Sequence, residues 1–166
     1  MKRSTLFAAA VLFGAALATP AFAGIVDTPL PELLAGKKTF HVYSVSGVNG
    51  GGGGLLGTYF SCTSTDAATI QVGVETFPHL GGGPGNDAVA TSLAVGPGAT
   101  VIFGTCGADG IILDSELGGC EPGGSARILA TSQKLVCTAF LASRLGTPPT
   151  SMVYLTIIKK TKQKGE

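Results

Sequence analysis

The sequence has little charge, few aromatic side chains and no tryptophan. Charged residues make up 13% of its 166 positions, about half of the roughly 25% found in an ordinary soluble domain. The formal net charge is +1, so the chain lacks the basic excess of a nucleic-acid-binding protein and the acidic excess of a disordered tail. Beyond residue 23, no window shows the helical spacing of apolar residues, which argues against an α-helical fold.

Glycine is in excess, with 26 residues, about twice the usual share of roughly 7%. The glycines follow no Gly-X-Y period, which excludes a collagen. They form runs such as 50–54 and 81–83, between segments rich in β-branched and aromatic residues. Because glycine reaches positive φ without a side-chain clash, these runs predict turns and open loops.

The first 23 residues have the layout of a secretory signal peptide. Lys2 and Arg3 give a positive start, residues 6–18 form an uncharged apolar stretch, and a small-x-small cleavage site ends at Ala23. The apolar stretch is shorter than the roughly 20 residues of a membrane-spanning helix. We expect cleavage between Ala23 and Gly24, secretion to the periplasm or the cell exterior, and no transmembrane segment in the mature chain.

The mature chain is predicted to be all-β. We divide it into an extended lead-in over 24–38, a single β-sandwich domain over 39–158 and a basic tail over 159–166. Short segments of Val, Ile, Thr, Phe and Tyr, separated by Gly, Pro, Asn and Asp, predict eight or nine strands joined by Gly-rich loops, as in sandwiches and barrels. The predicted strands are 40–46, 56–63, 69–77, 88–95, 100–105, 110–113, 126–132, 134–142 and 151–159.

All four cysteines lie in the mature chain. An even number in an exported protein predicts two disulfides, for which three connectivities are available. We favour Cys62–Cys137, because both residues lie in strand-like settings that suit a bond between packed sheets. We pair Cys106 with Cys120, because they bracket a short Gly-rich loop. No Cys-x-x-Cys spacing is present, so a zinc site is disfavoured.

Several segments carry a resemblance to a known group of proteins. They are 57–63 followed by 70–77, the Pro-Gly corner within 93–103, and 124–132. With them, the mature chain resembles a group of uncharacterised secreted bacterial proteins with an immunoglobulin-like sandwich. The resemblance implies an antiparallel immunoglobulin-like sandwich and no activity. Antibody-type domains match less well, because the chain lacks a core Trp and has Leu135 in place of the corner tyrosine.

Motifs for cofactors and catalysis are missing from the sequence. It contains no Gly-x-Ser-x-Gly elbow, no His-Glu-x-x-His and no Walker loop. Gly52-x-Gly54-x-x-Gly57 formally matches the dinucleotide fingerprint, but a predicted strand follows it where the fingerprint requires a helix. We interpret it as a chance match and expect no cofactor.

Two histidines and one acidic loop are the remaining candidates for chemistry. His41 or His79 would be the base of a small secreted hydrolase if a serine and an acid converged on it. Calcium takes six to eight oxygen ligands, and the loop around the Cys106–Cys120 pair offers several carboxylates. A solvated acidic loop is the favoured alternative to a calcium site. The weak calcium candidates are Asp109, Asp114, Glu116 and Glu121.

The tail concentrates positive charge in Lys159, Lys160, Lys162 and Lys164. It would attract an anionic polymer of the cell envelope, or serve as a solvated end that keeps the last strand from pairing at its edge. We expect no nucleic-acid partner. The sequence therefore predicts a secreted, noncatalytic β-sandwich module with a binding, adhesive or structural role, and the small hydrolase is the alternative.

Overall fold

The computed structural model describes residues 28–50, 55–107, 110–118 and 123–160. Over these ranges the chain forms strands and turns without a helix, so the all-β prediction is confirmed. Accordingly, no helix in these ranges could cross a membrane. The predicted signal peptide lies outside the described residues. The strands are β1 (Phe40–Val48), β2 (Leu56–Ser64), β3 (Ile70–Pro78), β4 (Leu93–Val95), β5 (Thr100–Gly104), β6 (Ser115–Glu116), β7 (Gly124–Ala130), β8 (Leu135–Ser143), β9 (Met152–Tyr154) and β10 (Ile157–Lys159).

The strands form two five-stranded sheets that pack into the predicted sandwich. Sheet A has the order β10-β1-β7-β3-β4 and sheet B the order β6-β5-β2-β8-β9. Neighbouring strands are antiparallel except for the parallel pair β5–β6. The chain changes sheet after β1, β2, β4, β6, β7 and β9. At these six connections, consecutive strands belong to different sheets, whereas β3–β4, β5–β6 and β8–β9 are neighbours in one sheet.

Alternating side chains fill the space between the sheets. In β3, Ile70, Val72 and Val74 point into the core as their spacing predicts, while Gln71 and Glu75 lie on the outer side. The strands of sheet B supply core residues by the same alternation, because successive side chains of a strand point to opposite faces of the sheet. The largest members of the core include Val42, Val45, Phe60, Phe103, Ile128 and Leu135.

The predicted strand over 88–95 begins only at Leu93. The carboxylate oxygen Oδ1 of Asp87 accepts hydrogen bonds from the backbone N–H groups of Val89, at 2.9 Å, and Ala90, at 3.1 Å. An aspartate that bonds to the backbone two and three residues ahead stabilises a turn in competition with a strand. The prediction was therefore wrong for the first half of this segment.

Two other predicted strands differ from the structure. The segment 110–113 is not a strand, and the short strand β6 follows it. The segment 151–159 is divided into β9, at the edge of sheet B, and β10, at the edge of sheet A. The division occurs at Leu155, whose N–H bonds to the carbonyl of Ala139 at 2.9 Å and whose side chain packs against the core.

The structure pairs Cys62 with Cys137 in a disulfide, as expected. The two residues are direct partners on the adjacent strands β2 and β8, with their Cα atoms 4.2 Å apart. This short separation is typical of a non-hydrogen-bonded antiparallel pair. The bond lies within one sheet, so the expectation of a bond between packed sheets was wrong. Cys106 is buried and disulfide-bonded, and its expected partner Cys120 lies outside the described residues.

The lead-in covers the outer face of sheet A. Residues 28–39, called the strap below, run over this face, and Leu33 is buried in a small cluster with Ala88 and Leu129. The Leu33 N–H donates to Oγ1 of Thr39 at 3.2 Å, which closes the strap into a compact loop. From residue 28 onward, the lead-in is therefore packed on the sandwich.

A buried arginine fixes the start of the strap to the sheet. Arg127 of β7 is 1% exposed, and its guanidinium forms an ion pair with the carboxylate of Glu75 on β3. It also donates hydrogen bonds to the carbonyl oxygens of Thr28, at 2.8 Å, and Pro29, at 2.9 Å. The guanidinium carbon lies 5.3 Å from the ring centroid of Phe77, within the range of a cation–π contact.

Candidate functional site

His41 lies beside a serine, as a hydrolase would require. Its Nε2 atom is 3.0 Å from Oγ of Ser44 and 3.0 Å from the carbonyl oxygen of Tyr43. A carbonyl oxygen only accepts hydrogen bonds, so the contact with Tyr43 requires that Nε2 carries the hydrogen. A nitrogen that donates to a carbonyl has no lone pair with which to take the proton of Ser44. This geometry belongs to a structural contact in β1.

The surroundings of His41 also keep its ring neutral. Burial lowers the pKa of His41 from 6.5 to about 4, and the positive charges of Lys160 and Arg127 act in the same direction. The hydrogen bond to the Tyr43 carbonyl opposes this shift. Within the described ranges, no carboxylate is hydrogen-bonded to the ring, so the acid of a catalytic triad is missing there.

The second histidine is far from the first. His79 is exposed and directly follows β3, whereas His41 lies near the start of β1. Both strands pair with β7, which runs opposite to each of them, so β1 and β3 point in the same direction. The two histidines therefore lie toward opposite ends of sheet A.

The described calcium candidates accept hydrogen bonds from backbone N–H groups. Oδ2 of Asp114 accepts the N–H of Ile102 at 2.7 Å, and Oε1 of Glu116 accepts the N–H of Gly107 at 3.3 Å. Asp109 and Glu121 lie outside the described residues. Among the residues that are described, no group of three His, Cys, Asp or Glu side chains is arranged to hold a metal ion.

A recess between the sheets is too small for a substrate. It is lined by residues that include Val48, Phe77, Thr105 and Leu117, and its interior volume is about 10 Å³. This volume has room for about one water molecule, whereas ligand sites in proteins usually measure about 300–1,000 Å³. Among the described residues, the remaining candidates are two outer surfaces.

The first candidate surface is the outer face of sheet B, which carries a row of aromatic rings. Tyr59 of β2 stacks on Phe140 of β8, with 5.4 Å between ring centroids, and Phe140 meets Tyr154 of β9 edge-on at 6.3 Å. Exposure rises along the row, from 0% for Tyr59 to 72% for Tyr154. The row therefore connects the middle of the sheet to its solvent-exposed edge.

Two glycines make space for the inner ring of this row. A Cβ atom on Gly57 would lie 2.7 Å from the hydroxyl oxygen of Tyr59, and one on Gly104 would lie 3.2 Å from the same ring and 2.8 Å from Leu113. The hydroxyl group of Tyr59 is buried and has no hydrogen-bond partner among the described residues. Burial raises the pKa of Tyr59.

The outer face of sheet B carries no charged side chain on its four longer described strands. Cross-strand partners share a face, so the register of β2 with β5 and β8, and of β8 with β9, identifies the outward residues. We call this surface the sheet B face. Its members are Gly57, Tyr59, Ser61, Thr63, Thr100, Ile102, Gly104, Val136, Thr138, Phe140, Ala142, Met152 and Tyr154.

The second candidate surface is one end of the sandwich, where exposed lysines gather. Lys37 and Lys38 precede β1, Lys134 precedes β8, and Lys159 and Lys160 lie at the end of β10. We call these five residues the lysine end. Sequence reasoning singled out only the last two, because the other three are distant in the chain.

The strand register places these lysines together. The first residue of β1, Phe40, is opposite Ala130, the last residue of β7, and Tyr43 of β1 is opposite Lys159. The Tyr43 hydroxyl group donates to the carbonyl oxygen of Leu135, the first residue of β8, at 2.6 Å. The starts of β1 and β8 and the ends of β7 and β10 therefore lie at the same end of the sandwich.

Comparisons of the chain with protein-family models, with curated proteins and with solved structures found no match.

Proposed function

We propose that the chain is a noncatalytic β-sandwich module that acts in the cell envelope or outside the cell and binds a partner through the sheet B face. The observation that carries this proposal is the difference between the two outer faces. The strap covers the middle of sheet A, so that Leu129 there is 0% exposed, while Ile158 at the edge of sheet A stays 63% exposed. On the sheet B face Tyr59 is buried, but Val136 is 56% exposed and Tyr154 is 72% exposed.

The chemistry of the sheet B face favours a contact surface. Interface centres are depleted in charged residues and enriched in aromatic residues and Met. Met152, which is 51% exposed, and Tyr154 lie at the sheet edge as candidate anchors. Thr138 and Ser61 add hydroxyl groups that exchange hydrogen bonds with water for those with a partner. The four longer strands carry no charged group that would have to lose its hydration, so desolvation of their part of the face costs little. The exposed Glu116 of β6 lies beside Gly104, at the margin of the face.

A single exposed threonine allows a sharp test. Thr138 lies in the middle of the face with its side chain exposed, so Thr138→Lys leaves the core intact and places an ammonium group in the contact. Thr150→Lys, in an exposed turn outside the face, is the matched control with the same change in charge. Two measurements apply to each variant: co-sedimentation with envelope material of the producing cells, and self-association by sedimentation velocity.

We expect Thr138→Lys to weaken one of these associations by more than about tenfold, because burying an unpaired charge costs more than about 1.4 kcal/mol. Thr150→Lys should behave as the unmodified protein does. Equal behaviour of the two variants in both measurements contradicts the proposal. If Thr138→Lys and Thr150→Lys weakened an association to the same extent, the loss would come from the added charge in general, and this result would also contradict the proposal.

A further inference from the structure

All five lysines that the structure describes lie at one end of the sandwich, and all five are exposed. They come from three separate parts of the chain: Lys37 and Lys38 from the strap, Lys134 from the turn between β7 and β8, and Lys159 and Lys160 from the end of β10. Lys162 and Lys164 follow in the sequence, outside the described residues. The charge of the described lysines is thus concentrated at one pole.

Two described carboxylates, those of Glu32 and Asp66, oppose the five lysines at this pole. Within the described ranges, the lysine end has one ion pair, between Lys134 and Asp66 at 3.7 Å, and the Lys134 side chain in it is 67% exposed. Such an exposed pair is weak. Lys38 lies over the Phe40 ring, with Nζ 5.4 Å from the centroid, and Lys159 over the Tyr43 ring at 5.8 Å. These contacts hold the ammonium groups in place without neutralising them.

Apart from Glu32 and Asp66, the described acidic groups lie away from the lysines. Glu116 is opposite Gly104, at the far end of β5, and Asn86, the neighbour of Asp87, bonds to the backbone of Thr76 near the far end of β3. Among the described residues, the lysine end therefore carries an excess of positive charge, five lysines against the two carboxylates of Glu32 and Asp66. A surface of negative charge would attract this end.

The shape and chemistry of the lysine end indicate which kind of surface it fits. The lysines flank β1, β8 and β10, which belong to both sheets, so they are spread over the end of the sandwich. Lysine acts as a point charge, in contrast to the bidentate recognition of single anionic groups by arginine. Leu34, in the same turn as Lys37, is 47% exposed and adds an apolar group beside the charges.

We propose that the lysine end docks on the surface of an anionic phospholipid bilayer. Several lysines spread over the ends of both sheets match the diffuse potential of such a bilayer. An exposed leucine among them inserts favourably at the boundary between headgroups and acyl chains. A hydrated anionic polysaccharide offers no apolar layer to Leu34, and we therefore favour the bilayer. This inference goes beyond the binding proposed for the sheet B face and does not depend on it.

The expected affinity follows from the number of charges. Each lysine near an anionic bilayer contributes about 1 kcal/mol, equal to about fivefold in binding. The double variant Lys37→Gln/Lys38→Gln should therefore bind about 25-fold more weakly. Lys37→Arg/Lys38→Arg keeps both charges and is the matched control. Since both side chains are exposed, neither variant disturbs the core.

The experiment uses the protein as it is purified from the cells that produce it, without further truncation. Its probes are vesicles of phosphatidylglycerol mixed with phosphatidylcholine, and vesicles of phosphatidylcholine alone. Co-sedimentation is measured at low and at physiological ionic strength, because salt screens charges over about 8–10 Å. A soluble anionic polysaccharide is measured in parallel. We expect binding to the phosphatidylglycerol vesicles that falls with salt, falls about 25-fold in the glutamine variant and persists in the arginine variant.

Three results would overturn the proposal. The first is equal binding to both kinds of vesicle, or none to either. The second is unchanged binding of the glutamine variant. The third is binding to the polysaccharide without binding to vesicles, which would assign the lysine end to a polymer of the envelope. The test with Thr138→Lys measures a different surface, so the failure of one proposal leaves the other open to its own measurement.

Discussion

Replacing Arg127 by methionine tests whether the buried arginine holds the strap and the sheet together. The change removes the cation that pairs with Glu75 and the donors to the carbonyl oxygens of Thr28 and Pro29. Glu75 is 4% exposed and would be left buried without its ion-pair partner. Breaking a buried ion pair in this way costs about 3–5 kcal/mol, a large part of the roughly 5–15 kcal/mol that stabilises a domain.

Urea denaturation measures this loss directly. With a slope of about 2 kcal/mol per molar, we expect the midpoint of Arg127→Met to fall by about 2 M. The double variant Arg127→Met/Glu75→Leu removes both charges, and apolar replacement of a whole buried pair is often neutral or stabilising. We therefore expect the double variant to be more stable than Arg127→Met.

The strap gives an independent readout of the same substitution. Both variants lack the two donors to Thr28 and Pro29, so proteolysis within the strap should be faster in both, even where the double variant has regained global stability. The reasoning would be refuted if Arg127→Met lost less than about 1 kcal/mol, or if removing Glu75 as well brought no recovery.

Two further substitutions test the packing and the titration of single residues. In the folded state the pKa of His41 is lowered from 6.5 to about 4, so the unfolded state binds more protons and stability falls as the pH drops from about 6.5 to about 4. Thermal denaturation at neutral and acidic pH should show that His41→Gln removes about 1 kcal/mol of this loss, a value reduced because the ring is half-exposed. If both proteins lose stability equally, His41 does not cause it. Gly57→Ala should destabilise the protein by about 1–3 kcal/mol, since its Cβ would lie 2.7 Å from the hydroxyl oxygen of the buried Tyr59. Gly96→Ala, whose Cβ would meet nothing within 4 Å, is the control in the same urea assay, and equal effects of the two would contradict the packing argument.

The sequence was sufficient for features that depend on local periodicity. The alternation of Ile70, Val72 and Val74 predicted both β3 and its inward face, because a strand places every second side chain on one side. The pairing of Cys62 with Cys137 was also predicted, but its position within one sheet was not. Sequence position does not reveal whether two strands are neighbours in a sheet or face each other across a core.

Features that depend on the path of the chain were not predictable in this way. Residues 151–159 contain no Gly or Pro, so nothing in them marks the point where the chain leaves sheet B for sheet A. Glu75 was correctly expected on the side opposite the core valines, which suggested contact with water. It is buried because the strap, about 40 residues earlier in the chain, covers that side together with Arg127.

The two candidate surfaces were not predictable from the sequence either, because each is formed by residues that are distant in the chain and become neighbours through strand pairing. Phe140 and Tyr154 become neighbours only because β9 pairs with β8. Lys37 and Lys159 come together only because β10 adds to the edge of sheet A beside β1. Residue types alone therefore suggested a basic tail, whereas the pairing of the strands extends that charge to a whole end of the molecule.

The positions of the two surfaces make a shared prediction about their independence. The sheet B face is parallel to the strands, whereas the lysine end lies where strands begin and end, so contact with a flat surface at that end leaves the face open. Mutations at separate sites without shared partners have additive effects. Thr138→Lys should therefore leave the salt-dependent binding of anionic vesicles unchanged or raise it slightly through its added charge. Lys37→Gln/Lys38→Gln should leave association through the face unchanged. If each change abolished both activities, a single contact surface would have to include both regions, and the assignment of two separate surfaces would be wrong.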